Sequence, residues 1–171
     1  MDPVLTEGPM DDETIPYFDD IGRVVPNQPH PVLPAVCAAI FDGDGRVLLE
    51  RRSDNGFWGL PGGAMDVGES VEQAVKREVM EETALVVEVK RLVGVYSDPR
   101  RNNIHTYPSG SVVNWVAIVF ECVRVDGELR ISNESTDIGY FHVDDLPEST
   151  LLSHVIRISD ATGSAEGLFI R

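Results

Sequence analysis

Three glutamates, Glu78, Glu81 and Glu82, lie within about one helical turn of each other in the stretch REVMEE. Like charges three or four residues apart on a helix repel by roughly 0.2–0.5 kcal/mol per pair. No lysine follows four residues after any of them to offset this repulsion. A divalent cation would turn the repulsion into coordination, and oxygen ligands favour a hard ion such as Mg²⁺ or Mn²⁺. The spacing therefore indicates a metal site, with a solvated surface patch as the alternative interpretation.

The helix that must position these carboxylates is predicted from its first residues. Ser70, with Gln73 three positions later, forms a capping-box pattern, so the helix should begin near Val71. With ~3.6 residues per turn, Val71, Val75 and Val79 form one apolar stripe that faces the domain. The three glutamates then lie beside this stripe, at the edge of the core rather than on the far solvent side.

Composition and charge limit the functions that the chain can have. It has 171 residues, 42% of them hydrophobic and 25% charged, which is typical of one globular domain. A formal net charge of −15 disfavours a nucleic-acid polymer or an anionic membrane as a partner, because both are negatively charged. Small phosphate substrates stay compatible, since a divalent cation can bridge them to carboxylates. No apolar run approaches the ~20 residues of a membrane span, and the acidic N-terminus lacks a signal pattern, so we expect a cytoplasmic protein.

The order of elements predicts one α/β domain. Residues 1–20 are acidic and are predicted as a mobile arm, and residues 21–171 as a single domain. Strands are predicted on both sides of the helix, and a second helix follows the last of them. Between them, residues 98–111 are predicted as a long polar loop, and DGELRIS as a turn and short strand. Strands, one helix, more strands and another helix predict a sandwich with mixed sheets rather than a regular βαβ series.

The spacing around the glutamates resembles a known motif. Gly63, five residues, Glu69, seven residues and then the run from Arg77 to Glu82 resemble the box of the Nudix hydrolase family, including its small MutT-like members. The resemblance extends to the strand and loop ahead of the motif and covers about residues 35–148. One position departs, because Ala84 stands where the family usually has glycine.

The resemblance implies both a fold and a reaction. The expected fold is a Nudix-like α/β/α sandwich with mixed β-sheets. The expected reaction is Mg²⁺- or Mn²⁺-dependent hydrolysis of the pyrophosphate bond in a nucleoside diphosphate linked to a moiety X. ADP-ribose-like substrates are preferred, and nucleoside triphosphates are the runner-up. A non-catalytic nucleotide sensor on the same fold and an acidic interaction module are the alternatives from other functional classes.

The resemblance also implies roles for the residues of the motif. Gly63 would offer its backbone carbonyl to the metal, and the three helix glutamates would coordinate it. Glu78 or Glu81 would also orient or deprotonate the attacking water. Arg77 is counted with the catalytic residues, although we expect it chiefly to pair with Glu69 and brace the loop against the helix. Glu134, outside the motif, is a candidate further ligand or base, with a solvated turn residue as the alternative.

Candidate substrate contacts come from two further segments. Arg52 resembles a phosphate-contacting arginine of the family, and an exposed strand-end arginine is the alternative. In the polar loop, Arg100 and Arg101 could clamp a phosphate, while His105 and Tyr107 could stack on a base or contact a ribose. The alternative for this loop is a mobile hairpin tip whose charges aid solubility.

The proline-rich lead-in suggests an assembly. Residues 21–34 carry apolar side chains but little helical or strand pattern of their own. Such arms often pack across a partner, and many small Nudix enzymes are homodimers. A homodimer that acts on a small phosphorylated nucleotide is therefore our hypothesis.

Overall fold

The computed structural model describes residues 17–25, 31–107, 109–163 and 167–171. The predicted acidic arm lies outside the described residues as far as residue 16. Its last four residues are part of the fold, since Tyr17–Phe18 forms a strand and Asp19 and Asp20 are buried. Residues 26–30 of the proline-rich lead-in also lie outside the described part.

The described residues form short and long strands around two α-helices and one 3-10 helix. In chain order the elements are β1 (Tyr17–Phe18), β2 (Val24–Val25), β3 (Val32–Ile40), β4 (Val47–Arg52), β5 (Trp58–Gly59), α1 (Val71–Thr83), β6 (Leu85–Tyr96), the 3-10 helix (Pro99–Arg101), β7 (Ile104–Thr106), β8 (Val112–Gly127), β9 (Ser135–Phe141), α2 (Leu152–Thr162) and β10 (Phe169–Ile170). None of the helices in the described residues is long and apolar enough to cross a bilayer.

The strands form one large mixed sheet and two small sheets. In the large sheet the order is β10-β6-β8-β3, and β7 also pairs with β8. The pairs β3–β8 and β6–β10 are parallel, whereas β6–β8 and β7–β8 are antiparallel. The second sheet has the order β5-β4-β9 and is antiparallel, and β1 pairs with β2. The predicted mixed sheets are thus confirmed.

The two helices cover opposite faces of this arrangement, because side chains alternate along a strand. In β3, Val36, Ala38 and Ile40 belong to the core cluster that contains the apolar residues of α1. Their neighbours Cys37 and Ala39 belong to the cluster that contains the apolar residues of α2. The result is the expected α/β/α sandwich.

Helix α1 begins and ends as its sequence dictates. Ser70 Oγ accepts from the backbone N–H of Gln73 at 3.2 Å, and Gln73 Oε1 accepts from the N–H of Ser70 at 2.8 Å. At the other end Ala84 keeps the left-handed conformation, with φ of 58° and ψ of 17°, and its N–H donates to the carbonyl of Met80 at 3.0 Å. Alanine therefore stands in a conformation that costs about 1 kcal/mol relative to glycine.

Two segments differ from their predicted structure. The polar loop at residues 98–111 contains the 3-10 helix and β7, because the buried side chain of Ile104 anchors it and its backbone pairs with β8. The short strand predicted in DGELRIS is absent, since β8 continues to Gly127 and residues 128–132 have no regular structure. The first difference matters for the site, because β7 forms part of its wall.

Candidate active site

A cavity of about 460 Å³ lies where α1, the loop before it, β7 and α2 meet. It gathers most of the residues that the sequence singled out and leaves three aside. Arg100, Arg101 and Glu69 do not line it. The predicted residues that do line it are Gly63, Arg77, Glu78, Glu81, Glu82, Glu134, Arg52, His105 and Tyr107.

Arg77 and Glu69 form the pair that the sequence suggests. Arg77 Nε donates to Glu69 Oε2 at 3.0 Å and Nη2 donates to Oε1 at 2.7 Å, which is a two-point contact. These bonds to Arg77 lower the pKa of Glu69 to about 2. Arg77 Nη2 also donates to the carbonyl of Ala64 at 3.1 Å. The arginine therefore ties the loop before α1 to the helix, as a brace would.

Gly63 leaves room for the carboxylate of Glu78. A Cβ at this position would lie 2.8 Å from Glu78 Oε2, so the carboxylate of Glu78 would have to move away. The carbonyl of Gly63 accepts from the N–H of Val36 at 2.9 Å, so one of its two lone pairs is already used. Glycine thus lets the Glu78 carboxylate lie against the loop in this position, in addition to the open carbonyl expected from the sequence.

Two carboxyl groups, those of Glu50 and Glu82, are buried together in the wall of the cavity. Glu82 is only 7% exposed, and its Oε2 accepts from the N–H of Gly62 at 2.7 Å. Burial, and then the neighbouring Glu50, raise the pKa of Glu82 to about 9. Glu50 is 3% exposed, accepts from Ser135 Oγ at 2.6 Å, and has its own pKa raised by burial. Two carboxyl groups in this position cannot both be ionised cheaply unless a cation lies beside them.

Glu50 was missed by the sequence reasoning, although a signal existed. In the strand VLLERR it stands two residues after Leu48, which faces the core beneath α1. A charged residue in phase with a buried leucine is predicted to point inward as well. Glu82, which lies beside Glu50 in the cavity wall, was predicted as a site residue only because the motif contains it.

The donor set suits a hard divalent cation. Glu50, Glu78, Glu81, Glu82 and Glu134 present only carboxylate oxygens to the cavity, as Mg²⁺ and Mn²⁺ prefer. In the side-chain positions of the described residues, no three acidic, histidine or cysteine side chains are already grouped around one point. Two of the carboxylates are turned to a cation of the protein instead, since Arg77 Nη1 donates to Glu78 Oε1 at 2.9 Å and to Glu81 Oε2 at 3.1 Å.

Glu134 reaches the cavity from outside the motif. Its side chain is exposed, and its carbonyl accepts from the N–H of Ser53 at 2.8 Å, which holds the loop before β9 against β4. Its charge contributes to the raised pKa values of Glu50 and Glu78, after burial in both cases. The weaker rival, Asp137, is exposed and does not line the cavity.

The predicted substrate contacts Arg52, His105 and Tyr107 already interact with other groups of the protein. Arg52 donates to both carboxylate oxygens of Asp54, at 3.0 and 2.7 Å. His105 is 6% exposed and its Nδ1 lies 2.6 Å from Asp20 Oδ2, so its ring is not free to stack on a base. The half-buried Tyr107 packs edge to face against His105, with ring centroids 4.5 Å apart. Tyr107 is the better placed of the two aromatic candidates.

The arginines of the polar loop lie away from the cavity. Both are exposed, and they flank the end of the 3-10 helix. Arg101 Nε lies 3.5 Å from Asp98 Oδ2, and the backbone N–H of Arg100 donates to Asp98 Oδ1 at 2.9 Å. Their assignment as a phosphate clamp stays a prediction that requires the loop to move.

Helix α2 adds residues that the sequence reasoning did not select. His154 and Arg157 line the cavity together with Asn103, and Arg157 is only 4% exposed. Burial and then Arg157 hold the pKa of His154 well below its ordinary value, so its ring is neutral. The signal lay in the helical period, because His154 stands on the same face as the buried Leu151, Ile158 and Ala161.

Comparison with known proteins agrees with this geometry. A NUDIX domain family model matches residues 31–159. A MutT-like protein of Streptomyces ambofaciens is 38% identical over 77% of this chain and 77% of its own length. An ADP-ribose pyrophosphatase of Methanocaldococcus jannaschii is 40% identical over 67% of this chain and 66% of its own length.

A solved structure of an enzyme with a similar name is also similar in fold. The crystal structure of an ADP-ribose pyrophosphatase from Streptococcus suis is 29% identical to this chain and has a TM-score of 0.60. The match covers 80% of this chain and 96% of that one. The family model spans more than half of the chain and includes the five glutamates that line the cavity. The chain therefore belongs to the Nudix family and is a pyrophosphate-bond hydrolase of that family.

Proposed function

We propose that this enzyme hydrolyses the pyrophosphate bond of a nucleoside diphosphate linked to a moiety X, with Mg²⁺ or Mn²⁺ held by Glu78, Glu81 and Glu82. The observation that carries the proposal is the buried carboxyl pair Glu50–Glu82 in the wall of the same cavity as Glu78. Both carboxyl groups of this buried pair can be ionised at low cost only if a cation lies beside them.

The bound ion supplies neutralisation of phosphate charge and a lower pKa for the attacking water. The protein positions the ligands around it. Gly62 orients Glu82 through its N–H, Ser135 orients Glu50, and Arg77 holds the loop of Gly63 against α1. To hold the ion, Glu78 and Glu81 would have to release Arg77 Nη1, whereas Glu69 is bound by the other two nitrogens of Arg77, Nε and Nη2.

A carboxylate of the same wall accepts the proton of the water. Glu78 is the stronger candidate, because it packs against Gly63 while the side chain of Glu81 is 60% exposed. Glu134 is the second candidate, since it lines the cavity from the loop before β9 rather than from α1. Glu134→Gln should lower turnover and leave the thermal unfolding curve unchanged; unchanged turnover would make Glu134 a surface residue.

ADP-ribose is our preferred substrate class, and a nucleoside triphosphate is the second. The named activity of the similar proteins from Methanocaldococcus jannaschii and Streptococcus suis favours the first. The cavity supports it as well, because about 460 Å³ is within the range of sites that enclose most of a drug-sized ligand. Asn102 and Tyr107 line the cavity and offer polar groups suited to a ribose.

A substrate screen with product identification tests the proposal. The purified protein is incubated with ADP-ribose, other nucleoside diphosphate sugars and nucleoside triphosphates, with Mg²⁺, Mn²⁺ or a chelator. We expect metal-dependent release of AMP and ribose 5-phosphate from ADP-ribose. Cleavage of triphosphates alone would favour the second substrate class, and turnover that persists in chelator would contradict the metal site.

We also infer a cytoplasmic homodimer. The two free, buried cysteines, Cys37 and Cys122, suit a reducing compartment. Exposed apolar side chains of the lead-in on β2 and β3, such as Val24, Val32 and Leu33, offer contact area. Light scattering at micromolar concentration should give twice the mass of 18.8 kDa. A monomer mass would reject the dimer without affecting the proposed reaction.

A further inference from the structure

Arg157 is a buried cation whose charge is not matched by the protein. Its guanidinium makes three polar contacts: Nη2 donates to Asn103 Oδ1 at 2.8 Å, Nη1 donates to Cys37 Sγ at 3.4 Å, and Nη1 lies 3.0 Å from His154 Nε2. Its Cζ also lies 5.7 Å from the ring centroid of Tyr96, an aromatic contact that supplies no counter-charge. Its Nε has no partner although it is buried. Within the described ranges, none of the ion pairs involves Arg157. A buried guanidinium without a carboxylate is unusual, because removing its charge from water is costly.

The contact between Arg157 and His154 also lacks a hydrogen-bond acceptor. The N–H of Leu60 donates to His154 Nδ1 at 2.8 Å, so Nδ1 carries the lone pair of the neutral ring. The ring proton is then on Nε2, which faces Arg157 Nη1. Two hydrogen-bond donors therefore meet at 3.0 Å with no acceptor between them. An oxygen that carries negative charge and lies beside the pair can accept from both.

The position of this cluster fits a ligand better than a purely structural role. His154, Arg157 and Asn103 all line the cavity that contains the carboxylates. Cys37, which contacts Arg157, is also the residue whose Cα would lie 2.7 Å from a Cβ on Gly62. Gly62 in turn donates to Glu82. Cys37 of β3 thus lies between the guanidinium of Arg157 and the loop that binds Glu82.

We propose that Arg157 and His154 form an anion subsite that binds a phosphoryl oxygen of the substrate diphosphate, in the same cavity as the carboxylates. The identity of the anion as a substrate phosphate rests on the proposed function. Arg157 is assigned rather than Arg52 because the guanidinium of Arg52 is already matched by Asp54. A planar fork of donors suits a phosphate better than it suits a neutral ribose or base.

Binding of inorganic pyrophosphate to the metal-stripped protein tests the subsite without any turnover. Calorimetry is run after treatment with a chelating resin, at constant ionic strength, on the wild type, Arg157→Met and Arg171→Met. Arg171 is the matched control, because it packs against the same helix through Asp160 but does not line the cavity. We expect Arg157→Met to weaken pyrophosphate binding by at least about tenfold, and Arg171→Met to leave it within about twofold.

Three results would overturn the subsite: no binding to the wild type, equal binding to Arg157→Met, or an equal loss in Arg171→Met. If Arg157→Met does not fold, the wild type still gives an answer by nuclear magnetic resonance. The side-chain Nε–H signal of Arg157 should shift on addition of pyrophosphate, and a signal that does not move contradicts the proposal. Because neither measurement involves catalysis, the subsite can fail while the hydrolase assignment stands, and the reverse.

Discussion

The cavity has two ends with opposite deficits: one lacks a cation and the other lacks an anion. At one end the carboxyl groups of Glu50 and Glu82 lie together, and burial raises the pKa of both. At the other end Arg157 and His154 place donors against each other without an acceptor. A purely structural cavity would match its charges internally, as Arg77 and Glu69 do at its edge. The difference indicates a ligand that brings a cation to the first end and an anion to the second, which describes a metal-bound diphosphate.

Removing one carboxylate from the acidic end should have the largest effect. Glu82→Gln keeps the shape of the side chain and can still accept from Gly62, but it loses the charge. We expect kcat to fall by at least ~10²-fold, as when a major electrostatic contribution to catalysis is removed. Glu72→Gln is the matched control on the same helix, because Glu72 pairs with Lys76 at 2.8 Å and does not line the cavity. Steady-state kinetics with saturating Mg²⁺ measure both, and near-normal turnover of Glu82→Gln would contradict its assignment as a metal ligand.

The acidic end should also make the stability of the metal-free protein depend on pH. The folded-state pKa of Glu82, about 9, lies above its ordinary value of 4.5, so the folded protein holds the proton more tightly. This stabilisation is complete below about pH 4.5 and is lost as the pH rises to about 9. Mg²⁺ favours the ionised form, so its stabilising effect should grow over the same range, to about 2.7 kcal/mol at 100 times its Kd.

Thermal unfolding with chelator or Mg²⁺ between pH 5 and 9 measures this dependence. In Glu82→Gln the difference between the two conditions should be small and should change little with pH. A wild-type protein whose Mg²⁺-induced shift in Tm is the same at both ends of the range would show that Glu82 is not held in its protonated form.

Glu50→Gln should separate stability from metal binding at the same end. The glutamine can still accept from Ser135 Oγ, while the cost of burying the charge of Glu50 is removed. We expect the metal-free variant to be more stable than the wild type at pH 8 by about 1 kcal/mol, and to bind Mg²⁺ more weakly. Urea unfolding in chelator measures the first effect. A destabilised variant would show that Glu50 is a structural residue rather than part of a charge site.

The sequence predicts the part of the site that depends on the helical spacing of neighbouring residues. The capping box at Ser70, the stripe from Val71 to Val79 and the spacing of the glutamates are all set by one helix, so α1 and its carboxylates were predicted with their boundaries. The brace from Arg77 to Glu69 was predicted for the same reason, since both belong to one motif.

The basic end was not predicted, because it is assembled from distant segments. Arg157 contacts Asn103, which is 54 residues away in sequence, and Cys37, which is 120 residues away. His105 is likewise taken up by Asp20, 85 residues away. No local pattern reports such contacts. The sequence reasoning therefore chose the conspicuous pair Arg100 and Arg101, which the fold places away from the cavity.

Those two loop arginines give the smallest expected effect. Because neither lines the cavity, Arg100→Ala combined with Arg101→Ala should leave KM and kcat for the best substrate within about twofold, the change expected of surface substitutions away from a site. The same kinetic assay that is used for Glu82→Gln measures it. A several-fold rise in KM would mean that the loop closes over the substrate and that recognition is not confined to the cavity walls.

The central claim is that the carboxylates of α1 hold the catalytic ion, and direct Mn²⁺ binding tests it most simply. Electron paramagnetic resonance counts free Mn²⁺ in titrations of the wild type, Glu82→Gln and Glu72→Gln at pH 8, with no nucleotide present. We expect saturable binding to the wild type and to Glu72→Gln, and binding to Glu82→Gln that is weaker by at least about tenfold, the loss expected when a charged ligand is replaced. Equal Mn²⁺ affinity in all three proteins would contradict it.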